Sequence, residues 1–166
     1  MRKYFILLCL LTGSVSGFTQ ADTIQPPYKR FPFFPPVTLL LPDSATSFTK
    51  EDLPKKKSIL LIVFSPTCEH CQHETEEMVK NIEKFKEVTI VMATSLPFDS
   101  MMNFRAKYGL SQYNNIIMGQ DTQFFLPTYY DIHNLPFHAF FDKKGKFISR
   151  FDGNMPMDKV LEELGK

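Results

Sequence analysis

The stretch Ser65-Pro66-Thr67-Cys68-Glu69-His70-Cys71 sets two thiols three positions apart, between the run Ser58 to Phe64 and a helix-like pattern beginning at Glu69. The first turn of a helix leaves backbone N–H groups unpaired and carries the positive end of the helix dipole, so a thiolate at Cys68 is favoured there. Thiolates are the attacking species in disulfide exchange, which makes Cys68 the candidate nucleophile and Cys71, one turn on, the candidate resolving thiol. A Cys-x-x-Cys also fits a structural disulfide or half of a zinc site. Glu69 opposes the Cys68 thiolate by like charge and a protonated His70 supports it, with the helix terminus outweighing both.

These residues need a strand to deliver them and a helix to hold them. Ser58 to Phe64 is apolar at every position after Ser58, the pattern of a central strand covered on both faces. Glu69 to Glu87 carries Cys71, Thr75, Met78, Val79, Ile82 and Phe85 on one helical stripe and predicts a long helix with Glu74, Glu76, Glu77, Lys80, Glu83 and Lys84 elsewhere on its surface. Val88 to Ala93 reads as a second buried strand and Ser100 to Tyr108 as a helix capped by Ser100 and closed by Gly109. Before the motif, Gln25 to Pro36 is too proline-rich for a helix and reads as an extended lead-in. Val37 to Leu41 predicts a first strand, Pro42 to Phe48 a turn and return strand, and Thr49 to Asp52 a short capped helix ended by Pro54. After it come a short strand at Ile116 to Met118 and a helix at Thr122 to Tyr130 disturbed by Pro127. A hairpin of Phe137 to Phe141 and Phe147 to Phe151 turns at Gly145, and a closing helix runs from Pro156 to Leu164.

The chain has 166 residues, 43% apolar and 22% charged, enough for one core. Arg2 and Lys3, the apolar run Tyr4 to Leu11 and the small or polar Thr12 to Gly17 read as a secretion signal, cleaved after Gly17 or Ala21. The run falls short of the roughly 20 residues that span a bilayer, so a retained anchor is the lesser reading and no stable membrane insertion is expected. Cys9 sits behind the bulky Leu7 and Leu8, which argues against lipidation. The predicted organisation is residues 1–21 signal peptide, 22–36 lead-in and 37–166 a single domain. Losing Arg2 and Lys3 leaves 17 of the 19 basic residues against 18 acidic ones, a formal charge of −1. Nucleic acid is not an expected partner, since phosphate binding calls for a basic surface, and Lys55-Lys56-Lys57 reads as a solvated turn. An exported chain whose two remaining cysteines form one Cys-x-x-Cys has no separate disulfide framework, which favours a working pair.

From about Val37 to Leu164 the sequence resembles the thioredoxin-like superfamily, most nearly its exported TlpA-like thiol–disulfide oxidoreductases. The resemblance rests on the strand leading into Cys68-Glu69-His70-Cys71, on Leu135-Pro136 before a strand, and on Phe141-Asp142-Lys143-Lys144-Gly145-Lys146. It implies an α/β thioredoxin-like fold, a central mixed sheet flanked by helices, with a short N-terminal β extension. It further implies that Cys68 attacks, that Cys71 resolves, and that Pro136 is a cis proline facing them. Leu135 beside it pairs with an extended substrate segment, and Phe137 and His138 line the far side. Thr67 stands where an aromatic Trp commonly precedes the first cysteine, giving the rim of the substrate site a smaller, more polar residue. Thioredoxins proper carry a buried acid six residues before that cysteine. Ile62 stands there, so proton handling falls to another group or to water. Glu74, three residues after Cys71, matches an acid near the disulfide in some membrane-facing reductases of the group; a role in deprotonating Cys71 and a place on the solvated helix surface are both open.

The leading expectation is a periplasmic enzyme that needs no cofactor, reduces protein disulfides through Cys68 and Cys71, and takes electrons from a membrane thiol reductase. His70 pulls the other way, because stabilising the thiolate favours the dithiol and makes the disulfide more oxidising, as in a disulfide donor or isomerase. A thiol peroxidase is a weaker reading, since Pro66 and Thr67 crowd directly against Cys68. So is a copper or zinc chaperone using Cys68 and Cys71 with His70 or His73, since copper chaperones of this superfamily space their cysteines by three. His73, His133 and His138 read as exposed or packed side chains.

Overall fold

The computed structural model describes residues 25–165; the expected signal peptide and Cys9 lie outside them. Seven strands form one mixed sheet in the order β2-β1-β5-β4-β3-β6-β7. At its centre β3 (Ser58–Val63) is buried at every position and pairs in parallel with β4 (Val88–Thr94), which pairs in parallel with β5 (Ile116–Gln120). On its other side β3 runs antiparallel to β6 (Phe137–Phe141), and β6 to β7 (Phe147–Asp152), with Gly145 at φ 74° in the connecting turn. The short hairpin of β1 (Leu39–Leu40) and β2 (Ser47–Phe48) closes the far edge through Leu40 and Gln120. This is the expected thioredoxin-like sheet with its N-terminal β extension.

Strand alternation gives the sheet two apolar faces. Leu60, Ile62, Ile90, Met92 and Phe140 form a core with Cys71, Met78 and Phe85 under α2 (Glu69–Lys80), with Met101 and Phe104 of α3 (Phe98–Lys107) and with Val160 of α5 (Met157–Glu163). Ile59, Leu61, Val91, Phe137, Ala139 and Phe141 face the other way, toward α1 (Pro27–Arg30) and α4 (Phe125–Tyr130). Covering on both sides is why β3 after Ser58 reads as an unbroken apolar run and β4 is apolar apart from the buried Thr89 and Thr94.

Several elements depart from the sequence expectation for local reasons. Within the lead-in, Pro27–Arg30 forms one helical turn, because Pro27 occupies the first helical position, where a missing N–H costs nothing. Only Leu39 and Leu40 of the expected first strand find ladder partners. The long helix stops at Lys80 and a 3-10 turn, Ile82–Phe85, follows. There the Asn81 side-chain amide donates to the Glu77 carbonyl at 2.9 Å, competing with the backbone ladder, while the tighter turn drives Phe85 fully into the core. The helix α3 begins two residues before Ser100, after the extended Pro97, so Ser100 lies in its first turn and does not cap it.

The helix α4 starts at Phe125, three residues later than expected, and Pro127 does not disturb it because first-turn N–H groups need no intrahelical partner. The buried Asp121 carboxylate satisfies two of them instead, accepting from Phe125 N at 3.0 Å and Leu126 N at 2.8 Å. Lys55, Lys56 and Lys57 are surface residues around an open groove they share with Lys50, Lys143 and Lys144. Replacing Asp121 by Ala removes both caps from a buried position and is expected to lower stability by about 2 kcal/mol, read as a reduced urea midpoint with an unchanged slope.

Candidate functional site

The strand β3 ends at Val63, and Phe64 N still donates to Ala93 O at 3.0 Å, so the sheet holds the chain up to the edge of the motif. Beyond it, Ser65 O accepts from Cys68 N at 3.1 Å and Pro66 O accepts from the Gln72 side chain at 2.8 Å. These bonds tie the loop to the first turn of α2. Cys68 is the N-cap residue, extended at φ −82° and ψ 120°, and its thiol is partly exposed where the helix N–H groups begin. Cys71 is 1% exposed and packs in the core under α2. Both are free thiols.

Leu135-Pro136 is a cis peptide, and the Leu135 carbonyl lies 3.8 Å from the Cys68 sulfur, where it can accept from the thiol. Pro136 is buried and its own carbonyl accepts from Gly153 N at 2.8 Å, fixing the loop to the end of β7. Leu135 is partly exposed and borders a groove of about 330 Å³ walled by Phe64, Leu96, Phe124, Pro127 and Ile132. Thr67 is exposed beside Cys68, its hydroxyl 3.0 Å from that of Ser65. Thus Cys68, Leu135, Pro136 and Thr67 come together at one end of the sheet.

Two expected residues behave differently. His70 is exposed on the first turn and makes no side-chain hydrogen bond among the described residues. Glu74 is 4% exposed and points inward, a correction to its placement on the solvated surface of the helix. Its Oε1 lies 2.5 Å from Nε2 of His138, and its Oε2 accepts from Met155 N at 2.9 Å. Phe137 and His138 do not line a peptide-docking surface either: both are 0% exposed, on opposite faces of β6. The register explains His138, because it stands opposite Ile62 on β3, on the sheet face that α2 covers. A lone His in an aromatic strand gave the sequence no signal of this pairing.

Burial pushes the Cys71 thiol from 9.0 up to about 12, with the neighbouring Cys68 and the Glu74 carboxylate adding to the rise against a backbone hydrogen bond at Ser65. At neutral pH Cys71 is therefore a proton-bearing thiol that needs a base before it can attack. Among the described residues no three His, Cys, Asp or Glu side chains converge as a metal site, and His70 and His73 are exposed while Cys71 is buried. No described helix is long and apolar enough to cross a membrane.

What two such thiols can do on this sheet is exchange with a disulfide, and the class so defined is the thioredoxin-like thiol–disulfide oxidoreductase. A model of the thioredoxin-like domain matches residues 49–166, most of the chain, and the protein belongs to that family. Among solved structures it is similar to Mycobacterium tuberculosis DsbF, at 23% identity and a TM-score of 0.65, over 77% of this chain and 92% of that one. It is similar also to a secreted M. tuberculosis disulfide oxidoreductase homologous to E. coli DsbE, at 19% identity and a TM-score of 0.65, over 78% and 95% of the two chains. The exposed lipoprotein thioredoxin of Streptococcus pneumoniae aligns at 25% identity and a TM-score of 0.58, over 77% and 96%. No curated protein matches the sequence.

At neutral pH, iodoacetamide is expected to modify Cys68 in the folded dithiol and to reach Cys71 only after denaturant is added, read by mass spectrometry of the intact chain. A thiol that ionises near 9.0 when unfolded and only near 12 when folded makes the unfolded state the poorer proton binder between those values, so stability falls as pH rises across that window. The reduced protein is expected to lose stability from pH 9 upward more steeply than its Cys71→Ala variant, in parallel denaturation series.

Proposed function

We propose that the protein is an exported, periplasmic reductase of protein disulfides. One observation carries the reading: a partly exposed thiol at a helix N-terminus, 3.8 Å from the Leu135 carbonyl, paired with a buried thiol held protonated up to about 12. The Cys68 thiolate attacks a substrate disulfide, forming a bond to one substrate sulfur while the other leaves and takes up a proton. Glu74 accepts the Cys71 proton, and the Cys71 thiolate attacks Cys68. This releases the second substrate thiol and closes the Cys68–Cys71 disulfide. Two electrons pass from the enzyme to the substrate, and a membrane thiol reductase returns them from outside the site. Pro136 and Leu135 seat the substrate backbone, with Thr67 at the rim and the groove bounded by Phe124 and Ile132 receiving a neighbouring side chain.

The electrostatics favour the reducing direction. A disulfide is strongly oxidising when the dithiol form is stabilised as a thiolate. Here His70 is solvated, Glu69 is an exposed like charge beside Cys68, and the buried Glu74 carboxylate disfavours a thiolate at Cys71. The export reading is supported by the leader-like first residues and by similarity to a secreted oxidoreductase and an exposed lipoprotein.

Equilibration of the domain against glutathione or dithiothreitol is expected to give a potential near the thioredoxin value of about −270 mV; a value near about −120 mV would reverse the direction. Cys71→Ser is expected to accumulate a mixed disulfide on Cys68 with a disulfide-bonded substrate such as insulin, and Cys68→Ser to abolish its reduction.

A further inference from the structure

His138 is the second residue of an otherwise apolar strand, with Phe137, Ala139, Phe140 and Phe141, and its side chain is wholly buried. An apolar residue would fill that space at lower cost, since a buried ion pair or polar pair contributes little to stability by itself. The Nε2–Oε1 separation of 2.5 Å requires a proton between the two atoms. Nδ1 is buried without a partner among the described residues, and a second N–H there would leave a charged ring unpaired in an apolar shell. The tautomer with its N–H at Nε2 leaves only a lone pair unpartnered at Nδ1, where the other would bury an unpaired N–H, so Nε2 is assigned as the donor to Oε1, and the Met155 amide donates to Oε2.

We propose that His138 is a positioning residue for the resolving step: by donating Nε2–H to Oε1 it holds the Glu74 carboxylate in place one helical turn beyond Cys71, ready to take the proton of the resolving thiol. The inference rests on the dithiol mechanism above. The route outward is also built. Glu74 and Met155 line a cleft of about 290 Å³ that opens to solvent between His73, Glu77, Asn154 and Met157, so a proton taken from Cys71 passes through Glu74 to water there. The titratable side chains that face the pair from α2 are Cys71, whose thiol burial and the Glu74 charge push up, and His73 and Glu77 at the mouth of the cleft. From the other elements packed against it come Phe140, Phe151 and the Met155 backbone, none of which titrates. In the step itself, the Cys71 S–H proton moves to the Glu74 carboxylate, the Cys71 sulfur bonds to Cys68, and the substrate sulfur leaves Cys68 with the bonding electron pair.

A stopped-flow reaction of the reduced protein with dithionitrobenzoate separates the two attacks. The first thionitrobenzoate anion leaves as Cys68 forms the mixed disulfide, and the second leaves as Cys71 resolves it. The ratio of second-phase to first-phase rate is expected to fall at least tenfold in His138→Leu. It is expected to stay within about twofold of the unaltered protein in His138→Gln, whose side-chain amide can donate to the same oxygen. The second phase of His138→Leu is expected to climb with pH about tenfold per unit through neutrality, as solvent becomes the base, where the unaltered protein levels off. Glu74→Gln and the double variant Glu74→Gln/His138→Leu are expected to match each other, because the two residues act as one unit. An unchanged ratio in His138→Leu, an equal loss in both phases, a His138→Gln variant as slow as His138→Leu, or additive losses in the double variant would each overturn the role of His138. Absence of a Cys68-dependent first phase would instead overturn the dithiol reading, and this inference with it.

Discussion

Two thiols three residues apart on one helix are held in different surroundings, and the site depends on that difference. The first turn of α2 projects from the sheet edge, so Cys68 meets solvent and unpaired N–H groups, while the next turn is pressed on Ile62 and Phe140 and takes Cys71 with it. Covering both faces of β3 is what makes this affordable. A central strand with all six residues buried supplies a rigid floor, and its end, extended by the Phe64 bond to Ala93, fixes where the motif begins.

The same sheet sets the opposing wall. Because β6 runs antiparallel beside β3, the loop entering β6 arrives at the end where β3 delivers the motif, which brings the Leu135 carbonyl to the Cys68 sulfur. The two pieces are 67 residues apart in sequence and adjacent only through strand order. One residue of register would turn His138 to the opposite face of the sheet, away from α2, and leave Glu74 without its partner.

The Cys-x-x-Cys pair and the strands around it were legible in the sequence because each has a local signal, an apolar run before the motif and Gly145 in a turn, whereas the cis bond at Pro136 came only from the family resemblance, since a Leu-Pro before a strand carries no local mark of its isomer. The surroundings of Glu74 were not. Helical periodicity sets Glu74 at the edge of the apolar stripe, where charge counts for more than position, and only the partner on β6 shows that the side chain turns inward. His138 was illegible for the complementary reason, since its acid lies 64 residues away on another element. The early stop of α2 and the late start of α4 were hidden in side-chain bonds from Asn81 and Asp121 that periodicity does not register.

Ile62 stands opposite His138 on the sheet face that α2 covers, so the apolar strand residue and the acid on α2 share one layer. Carrying the acid on α2 places it on the same rigid element as Cys71 and at the margin of the core, where one oxygen meets a strand histidine and the other a backbone amide beside a water-accessible cleft. The carboxylate is 4% exposed yet borders that cleft, so in the proposed resolving step it meets both the buried thiol and solvent. In the proposed step the proton leaves on the side of α2 that carries Met155 and Met157, away from the edge where Cys68 meets Leu135.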